Sequence, residues 1–143
     1  MANVVSEISV TCTPLAAQGS DIAHSGAIVD FWGVVRPIED GREIEGIDYE
    51  AHREMAEYQL KRIAEQAAER FGLNLIILRH RIGFIPAGEP SLFLRVATTH
   101  RDQGFLASQW IVDELKKRVP IWKRPRFKLE NHHHATRSEA ARV

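Results

Sequence analysis

The fold depends on one stretch, residues 115–124, which reads Leu-Lys-Lys-Arg-Val-Pro-Ile-Trp-Lys-Arg. The segment 116–128 contains seven lysines and arginines and no acidic residue, although the formal net charge of the chain is zero. Four residues that favour burial, Val119 to Trp122, interrupt this basic run. A solvated basic loop after a helix end, where cations meet the negative end of the helix dipole, is one explanation. The other is the wall of an anion pocket, where apolar neighbours partly desolvate the ammonium groups.

The residues before this stretch predict a helix that ends inside it. One face of that helix is marked by Phe105, Val112, Leu115 and Val119. Pro120 pushes the residue before it towards an extended conformation, so the helix is expected to end near Arg118. Lys116 then lies in the last helical turn and Lys123 lies beyond the break. Whether the two ammonium groups converge depends on the bend at Pro120, which the sequence leaves open.

Length and composition set the class of protein. A chain of 143 residues predicts one domain over 1–143, and the 44% hydrophobic content is ordinary for a soluble globular protein. We find no apolar run of about 18 residues and no signal-peptide pattern. The single cysteine, Cys12, excludes an internal disulfide and fits the cytoplasm. The neutral charge balance argues against bulk binding of nucleic acid.

Apolar patterns predict five strands and two helices. The strands cover residues 4–13, 26–36, 43–49, 73–79 and 91–98, and the helices cover 50–71 and a segment that begins at the N-cap candidate Asp102. The strand over 26–36 is almost continuously apolar, which predicts burial on both faces. Gly33 within it indicates a bulge or a close backbone approach. Residues 37–42 are predicted to break regular structure and to form the likeliest mobile loop.

Several polar residues stand where predicted strands end. Arg36 follows the strand over 26–36 and is either an exposed strand end or an anion ligand. His100 and Arg101 lie in a strand-to-helix turn, beside free backbone N–H groups that suit an anion. His80 and Arg81 form either a polar site or an ordinary pair at a strand end.

The tail contains three adjacent histidines, His132 to His134. Consecutive side chains on a strand or helix cannot all reach one metal ion, and no zinc-binding pattern accompanies them. We therefore expect no metal site and no cofactor.

Four stretches, taken together and in this order, resemble the large, catalytic subunit of molybdopterin synthase. They are Gly26–Arg36, Tyr49–Ala56, His80–Gly83 with Gly88–Glu89, and His100–Arg101 with Leu115–Lys123. The Pro-Ile-Trp-Lys of the last stretch is the most specific part. The resemblance covers most of residues 26–124.

This resemblance implies an α+β fold of the α/β hammerhead type, with a mixed or antiparallel sheet and two main helices. It also implies a homodimer whose partner is a small ubiquitin-like sulfur carrier. The carrier's C-terminal Gly-Gly, as a thiocarboxylate, would enter a pocket of the large subunit. Sulfur would then pass twice to cyclic pyranopterin monophosphate and form the dithiolene of molybdopterin.

The resemblance assigns roles to individual residues. Lys116 and Lys123 match the catalytic positions. The substrate-binding positions are matched by Arg36, His100, Arg101, Phe31 and Arg137. Arg137 would be donated across the dimer. Both substrates are anionic, so a pocket with several fixed cations suits the chemistry.

Departures from the family pattern, which include Gly104 and Val112, keep other functions open. Pro125 stands where the family has an acid, and His133 to Ala135 replace an aromatic-Val-Glu run in the tail. One alternative is therefore a non-catalytic homologue that binds the sulfur carrier or a phosphorylated ligand. Another, from composition alone, is a phosphate- or RNA-binding module that uses the basic run 116–128.

Overall fold

The structure is a computed structural model that describes residues 4–16, 25–129 and 141–143. Its two helices are α1 (Arg53–Phe71) and α2 (Arg101–Arg118). Its strands are β1 (Val5–Thr11), β2 (Ala27–Val34), β3 (Ile38–Glu39), β4 (Arg42–Ala51), β5 (Leu75–Arg81), β6 (Gly83–Pro86), β7 (Pro90–Thr98), β8 (Ile121–Phe127) and β9 (Ala141–Arg142).

The strands form two sheets. The first has the order β1-β5-β7-β2, in which β1 runs parallel to β5 and the other pairs are antiparallel. The second has the order β3-β4-β8-β9, with β6 also paired to β4. Buried side chains from both sheets and both helices form the main core, and a smaller cluster consists of Leu75, Ile77, Phe93 and Ala97. This arrangement confirms the predicted α+β fold with mixed and antiparallel pairing and two main helices.

The amphipathic pattern of α1 is confirmed. Its buried stripe consists of Ala56, Leu60, Ile63, Ala64 and Ala67. The side chain of His52 accepts a hydrogen bond from the backbone N–H of Met55 at the N-terminus. Gly72 ends the helix in the left-handed conformation, with φ of 66°, and its N–H donates to the carbonyl of Ala68. Within the described residues, neither helix is long and apolar enough to cross a membrane.

The predicted face of α2 is confirmed at Leu115 and Val119 and wrong at Phe105, and the predicted N-cap is wrong. The N-cap is His100, and Asp102 lies in the first helical turn. The buried residues are Gly104, Ala107, Ser108, Ile111 and Leu115, whereas Phe105 is 62% exposed. Small residues face the sheet because α2 packs closely on it. A Cβ on Gly104 would lie 3.1 Å from a methyl carbon of Val29 and 3.2 Å from the hydroxyl of Thr98.

The prediction that strand 26–36 is buried on both faces is also wrong. β2 is an edge strand with β7 on one side, and its burial roughly alternates. Ile28, Phe31 and Val34 are 41%, 38% and 50% exposed. A register shift between Gly33 and Val34 confirms the irregularity that the glycine indicated.

Two further segments differ from the sequence expectation. Residues 37–42 are regular, because β3 pairs with β4 through a turn in which Asp40 and Gly41 have φ of 51° and 73°. Residues 121–127 form a strand that pairs antiparallel with β4. The sequence analysis did not predict this strand, because its lysines and arginines interrupt the apolar pattern.

The close packing of α2 predicts the effect of adding bulk at Gly104. We expect Gly104→Val to lower the free energy of unfolding by about 1–3 kcal/mol, because the new side chain overlaps Val29 and Thr98. Urea unfolding followed by circular dichroism measures the change. Leu106→Val, at an exposed position of the same helix, is the control and is expected to change stability by less than about 0.5 kcal/mol. Equal stability of Gly104→Val and the wild type would contradict the packing argument.

Candidate active site

A cavity of about 410 Å³ opens beside the C-terminal end of α2, between the two sheets. Its polar and charged lining consists of Arg36, Glu39, Tyr49, His80, Ser91, Lys116 and Lys123. Apolar residues of the wall include Phe31, Val35, Ile47, Leu92 and Leu115. Of the seven site residues that the sequence singled out, four line this cavity: Phe31, Arg36, Lys116 and Lys123.

The end of α2 brings the two lysines together. Val119 is extended, with φ of −88° and ψ of 126°, and its N–H donates to the carbonyl of Leu115. The chain then enters β8 at Ile121, where Lys123 pairs in register with Tyr49 of β4. Lys116 therefore reaches the cavity from a helix, and Lys123 reaches it from a strand. The bend at Pro120 does make the two side chains converge.

Two of the three cations of the cavity, Lys123 and Arg36, share one acidic residue. A carboxylate oxygen of Glu39 lies 3.3 Å from Lys123 Nζ, and the other lies 3.5 Å from a terminal nitrogen of Arg36. The Lys123 side chain is half-buried, with 31% of its surface exposed, whereas Lys116 is well exposed to solvent. Three cations against one carboxylate give the lining a positive balance, which favours an anionic ligand.

His80 contributes a buried, neutral imidazole to the same cavity. Its Nδ1 lies 2.8 Å from the backbone carbonyl of Arg81 and so donates to it, which leaves Nε2 as the acceptor of the neutral ring. Burial lowers the pKa of His80 to about 4, against the smaller opposing effect of that hydrogen bond. The ring contacts Tyr49 edge-on at 5.5 Å between centroids.

Tyr49 lies beside this histidine. Burial is the main cause that raises the pKa of Tyr49, a hydrogen bond with Ser91 lowers it, and the charge of Glu39 raises it. Our sequence reading assigned no role to Glu39, Tyr49 or Ser91. Tyr49 belongs to a stretch that carried the resemblance, but no local pattern indicated that it faces a cavity.

A second motif supports the strand end that carries Arg36. Arg81 donates to Glu89 at 2.9 Å, and its side chain is largely buried. The backbone carbonyl of Glu89 accepts from the N–H of Val35, and the N–H of Gly88 donates to the carbonyl of Val35. His80 therefore lies in the cavity wall. Arg81, Gly88 and Glu89 hold the backbone next to Arg36 in place through their hydrogen bonds.

His100 and Arg101 lie outside the lining of this cavity. They stand at the start of α2, and Lys116 stands in its last turn. Fifteen residues of helix separate Arg101 from Lys116, a distance of about 22 Å. Within one copy of the chain, Arg101 and Lys116 are therefore too far apart to contact the same phosphate group.

Comparison with known proteins places the chain in a family. The family model described as MoaE protein matches residues 6–118. The chain belongs to the MoaE protein family. This confirms the resemblance on which the sequence assignment rests.

Relatives and solved structures of the MoaE family agree with the fold. A protein named molybdopterin synthase catalytic subunit, from Pyrococcus abyssi, is 45% identical over 102 residues, which cover 71% of this chain and 69% of that protein. The crystal structure of molybdopterin synthase from Staphylococcus aureus aligns with a TM-score of 0.76 and 27% identity, covering 87% of this chain and 92% of that one. A chain from the complex of subunits 1 and 2 of molybdopterin-converting factor from Helicobacter pylori has the same fold, with a TM-score of 0.64 and 18% identity over 90% of this chain and 92% of that one.

The basic run 116–128 does not form one cationic surface in this MoaE family member. Lys116 and Lys123 line the cavity. Lys117 and Arg118 lie 3.5 and 3.6 Å from the carboxylate of Glu114. Arg126 makes two hydrogen bonds of 2.8 Å with Asp48. These ion pairs weigh against the RNA-binding alternative, because cations already paired with carboxylates attract phosphates less strongly.

The remaining predictions concern the tail. Arg137 and the histidines at 132–134 lie outside the described residues. Among the residues that are described, no group of three or more histidine, cysteine, aspartate or glutamate side chains could hold a metal ion.

The buried histidine predicts how stability depends on pH. The folded chain keeps His80 neutral down to about pH 4, whereas the unfolded chain protonates it below about 6.5. The contribution of His80 to the free energy of unfolding therefore falls by roughly 3 kcal/mol at most as the pH falls from about 6.5 to 4. Below about pH 4 it does not change further.

Urea unfolding at pH 7.0 and pH 4.5 tests this linkage, with His80→Asn as the comparison. Asparagine keeps a donor for the Arg81 carbonyl but does not titrate. We expect the variant to lose clearly less stability than the wild type between the two pH values. Identical losses would show that His80 does not carry the effect.

Proposed function

We propose that the cavity is the active site of a molybdopterin synthase catalytic subunit. In this function, sulfur from the C-terminal thiocarboxylate of a small ubiquitin-like carrier, which ends in Gly-Gly, passes to cyclic pyranopterin monophosphate. Two such transfers form the dithiolene of molybdopterin. The observation that carries the proposal is the convergence of Lys116, Lys123 and Arg36 on one cavity in a chain of the MoaE family.

The charge of the cavity suits both substrates. A cyclic phosphate and a thiocarboxylate are anions, and the lining offers three cations against one carboxylate. Lys116, exposed at the end of α2, is placed to meet the incoming anion. Lys123, half-buried on β8, is placed to stabilise the negative charge that develops on the carbonyl oxygen during transfer. We assign the catalytic roles to these two lysines and substrate binding to Arg36.

The apolar wall suits the tail of the carrier. Phe31 and Val34 line the cavity and are both partly exposed on the edge strand β2. A Gly-Gly tail has no side chains, so it can pass along this apolar wall and deliver its terminal group to the lysines. We assign the contact with the carrier to this entrance.

We further propose that the active unit is a homodimer. His100 and Arg101 start α2 and stand about 22 Å from Lys116 along the helix, so they can serve a cavity only in a second copy. The family resemblance assigns the Arg137 contact to a second copy as well. We also propose that residues 1–143 act as one domain and that the chain works in the cytoplasm, which its lone cysteine suits.

Substitution of each lysine tests the proposal. We expect Lys116→Ala and Lys123→Ala to lower the rate of dithiolene formation by about 100-fold or more, because each removes a cation from the site of developing charge. The assay supplies a thiocarboxylated carrier and the pterin precursor to the purified chain and measures the dithiolene product. Thermal unfolding followed by circular dichroism verifies that the variants remain folded.

Lys117→Ala is the matched control for this experiment. Lys117 neighbours Lys116 on the same helix, is well exposed and pairs with Glu114 instead of lining the cavity. We expect it to retain the wild-type rate. Full activity of both cavity variants would refute the assignment. A folded wild-type chain that yields no product would favour the non-catalytic alternative, a homologue that only binds the carrier or a phosphorylated ligand.

A further inference from the structure

Glu39 is the acidic side chain of a cavity that otherwise presents cations. It ends the two-residue strand β3, and backbone pairing with Arg42 across the tight turn places it. A hydrogen bond from the N–H of Ile44 to the carbonyl of Pro37 closes the base of this hairpin. The side chain is 14% exposed, so the carboxylate is turned into the cavity and away from bulk water.

The carboxylate of Glu39 links two elements that the chain brings together from far apart. One oxygen lies 3.3 Å from Lys123 Nζ on β8, and the other lies 3.5 Å from Arg36 just after β2. Both distances are at the long end of the range for an ion pair, which corresponds to weak pairing. Glu39 therefore holds these two cations in position and can be displaced from them.

The third cation of the cavity has a different environment. Within the part of the chain that the structure describes, no carboxylate lies within 4.0 Å of the Lys116 ammonium. Lys116 is thus free to attract an incoming anion, whereas Lys123 and Arg36 already share one. A negative ligand that binds all three cations therefore competes with the Glu39 carboxylate for two of them.

We propose that Glu39 is a positioning residue that acts as an internal counter-anion. It holds Lys123 and Arg36 in place until an anionic substrate binds, and the substrate then displaces its carboxylate from the two cations. Glu39 competes with the phosphate or carboxylate group of the ligand for the same two cations. It also keeps the Lys123 ammonium directed into the cavity. The positioning role in catalysis rests on the proposed function, but the competition with anions does not.

Titration of the purified full chain with inorganic phosphate tests the competition directly. Glu39→Gln keeps the shape and the hydrogen-bonding capacity of the side chain and removes its charge. We expect it to bind phosphate at least about threefold more tightly than the wild type at low salt, with a smaller difference at high salt. Isothermal titration calorimetry at low and high sodium chloride measures both affinities.

Glu114→Gln is the matched control. Glu114 also lies between two cations, Lys117 and Arg118, and is 19% exposed, but it does not line the cavity. We expect its phosphate affinity to equal that of the wild type. In a Lys123→Gln background the gain from Glu39→Gln should shrink, because one of the two shared cations is gone.

Three outcomes would overturn the proposal. They are an unchanged or weaker phosphate affinity of Glu39→Gln, an equal gain from Glu114→Gln, and no measurable phosphate binding by either the wild type or Glu39→Gln. In the sulfur-transfer assay we expect Glu39→Gln to lower kcat without raising the KM for the pterin substrate, since Lys123 loses its position while competition is removed. A rise in KM at unchanged kcat would contradict the positioning role. A wild-type chain without synthase activity would refute the proposed function, while the phosphate titrations would still decide the role of Glu39 as a counter-anion.

Discussion

The antiparallel pairing of β4 with β8 is the constraint on which the cavity depends. Pro120 ends α2, and the chain returns as a strand whose Lys123 stands opposite Tyr49. This register sets the distance between a helix-borne lysine and a strand-borne lysine. A shift of one residue would turn the side chain at position 123 to the other face of the sheet, because side chains alternate along a strand. The catalytic role proposed for Lys123 therefore depends on the register between β4 and β8.

The cavity combines two kinds of polar group that respond differently to their surroundings. His80 is deeply buried, so burial lowers its pKa and keeps it neutral. The cations instead keep partial access to water, and two of them, Lys123 and Arg36, share Glu39. The buried imidazole is thus neutral, and the charged side chains are those that water still reaches. Such a division lets an anion bind without leaving an uncompensated charge in the core.

Departures from the sequence-based expectation come from tertiary context. β2 is rich in apolar residues, yet its position at a sheet edge leaves Ile28 and Val34 exposed. Phe105 fits a helical apolar face, but the close approach of α2 to the sheet requires the small residue Gly104 there instead. In both cases the element itself was predicted correctly. Which face meets the core was decided by distant neighbours.

The sequence by itself determined the two helices, the order of the main strands, the end of α2 at Pro120 and the identity of the cavity's cations, because these follow from local periodicity, from the geometry of proline and from family motifs. Only the tertiary structure decided that Lys116, Lys123 and Arg36 share a cavity and that Glu39 lies between two of them. The physical reason is that strand register and helix placement are set by contacts between residues far apart in the chain, such as the 84 positions that separate Glu39 from Lys123.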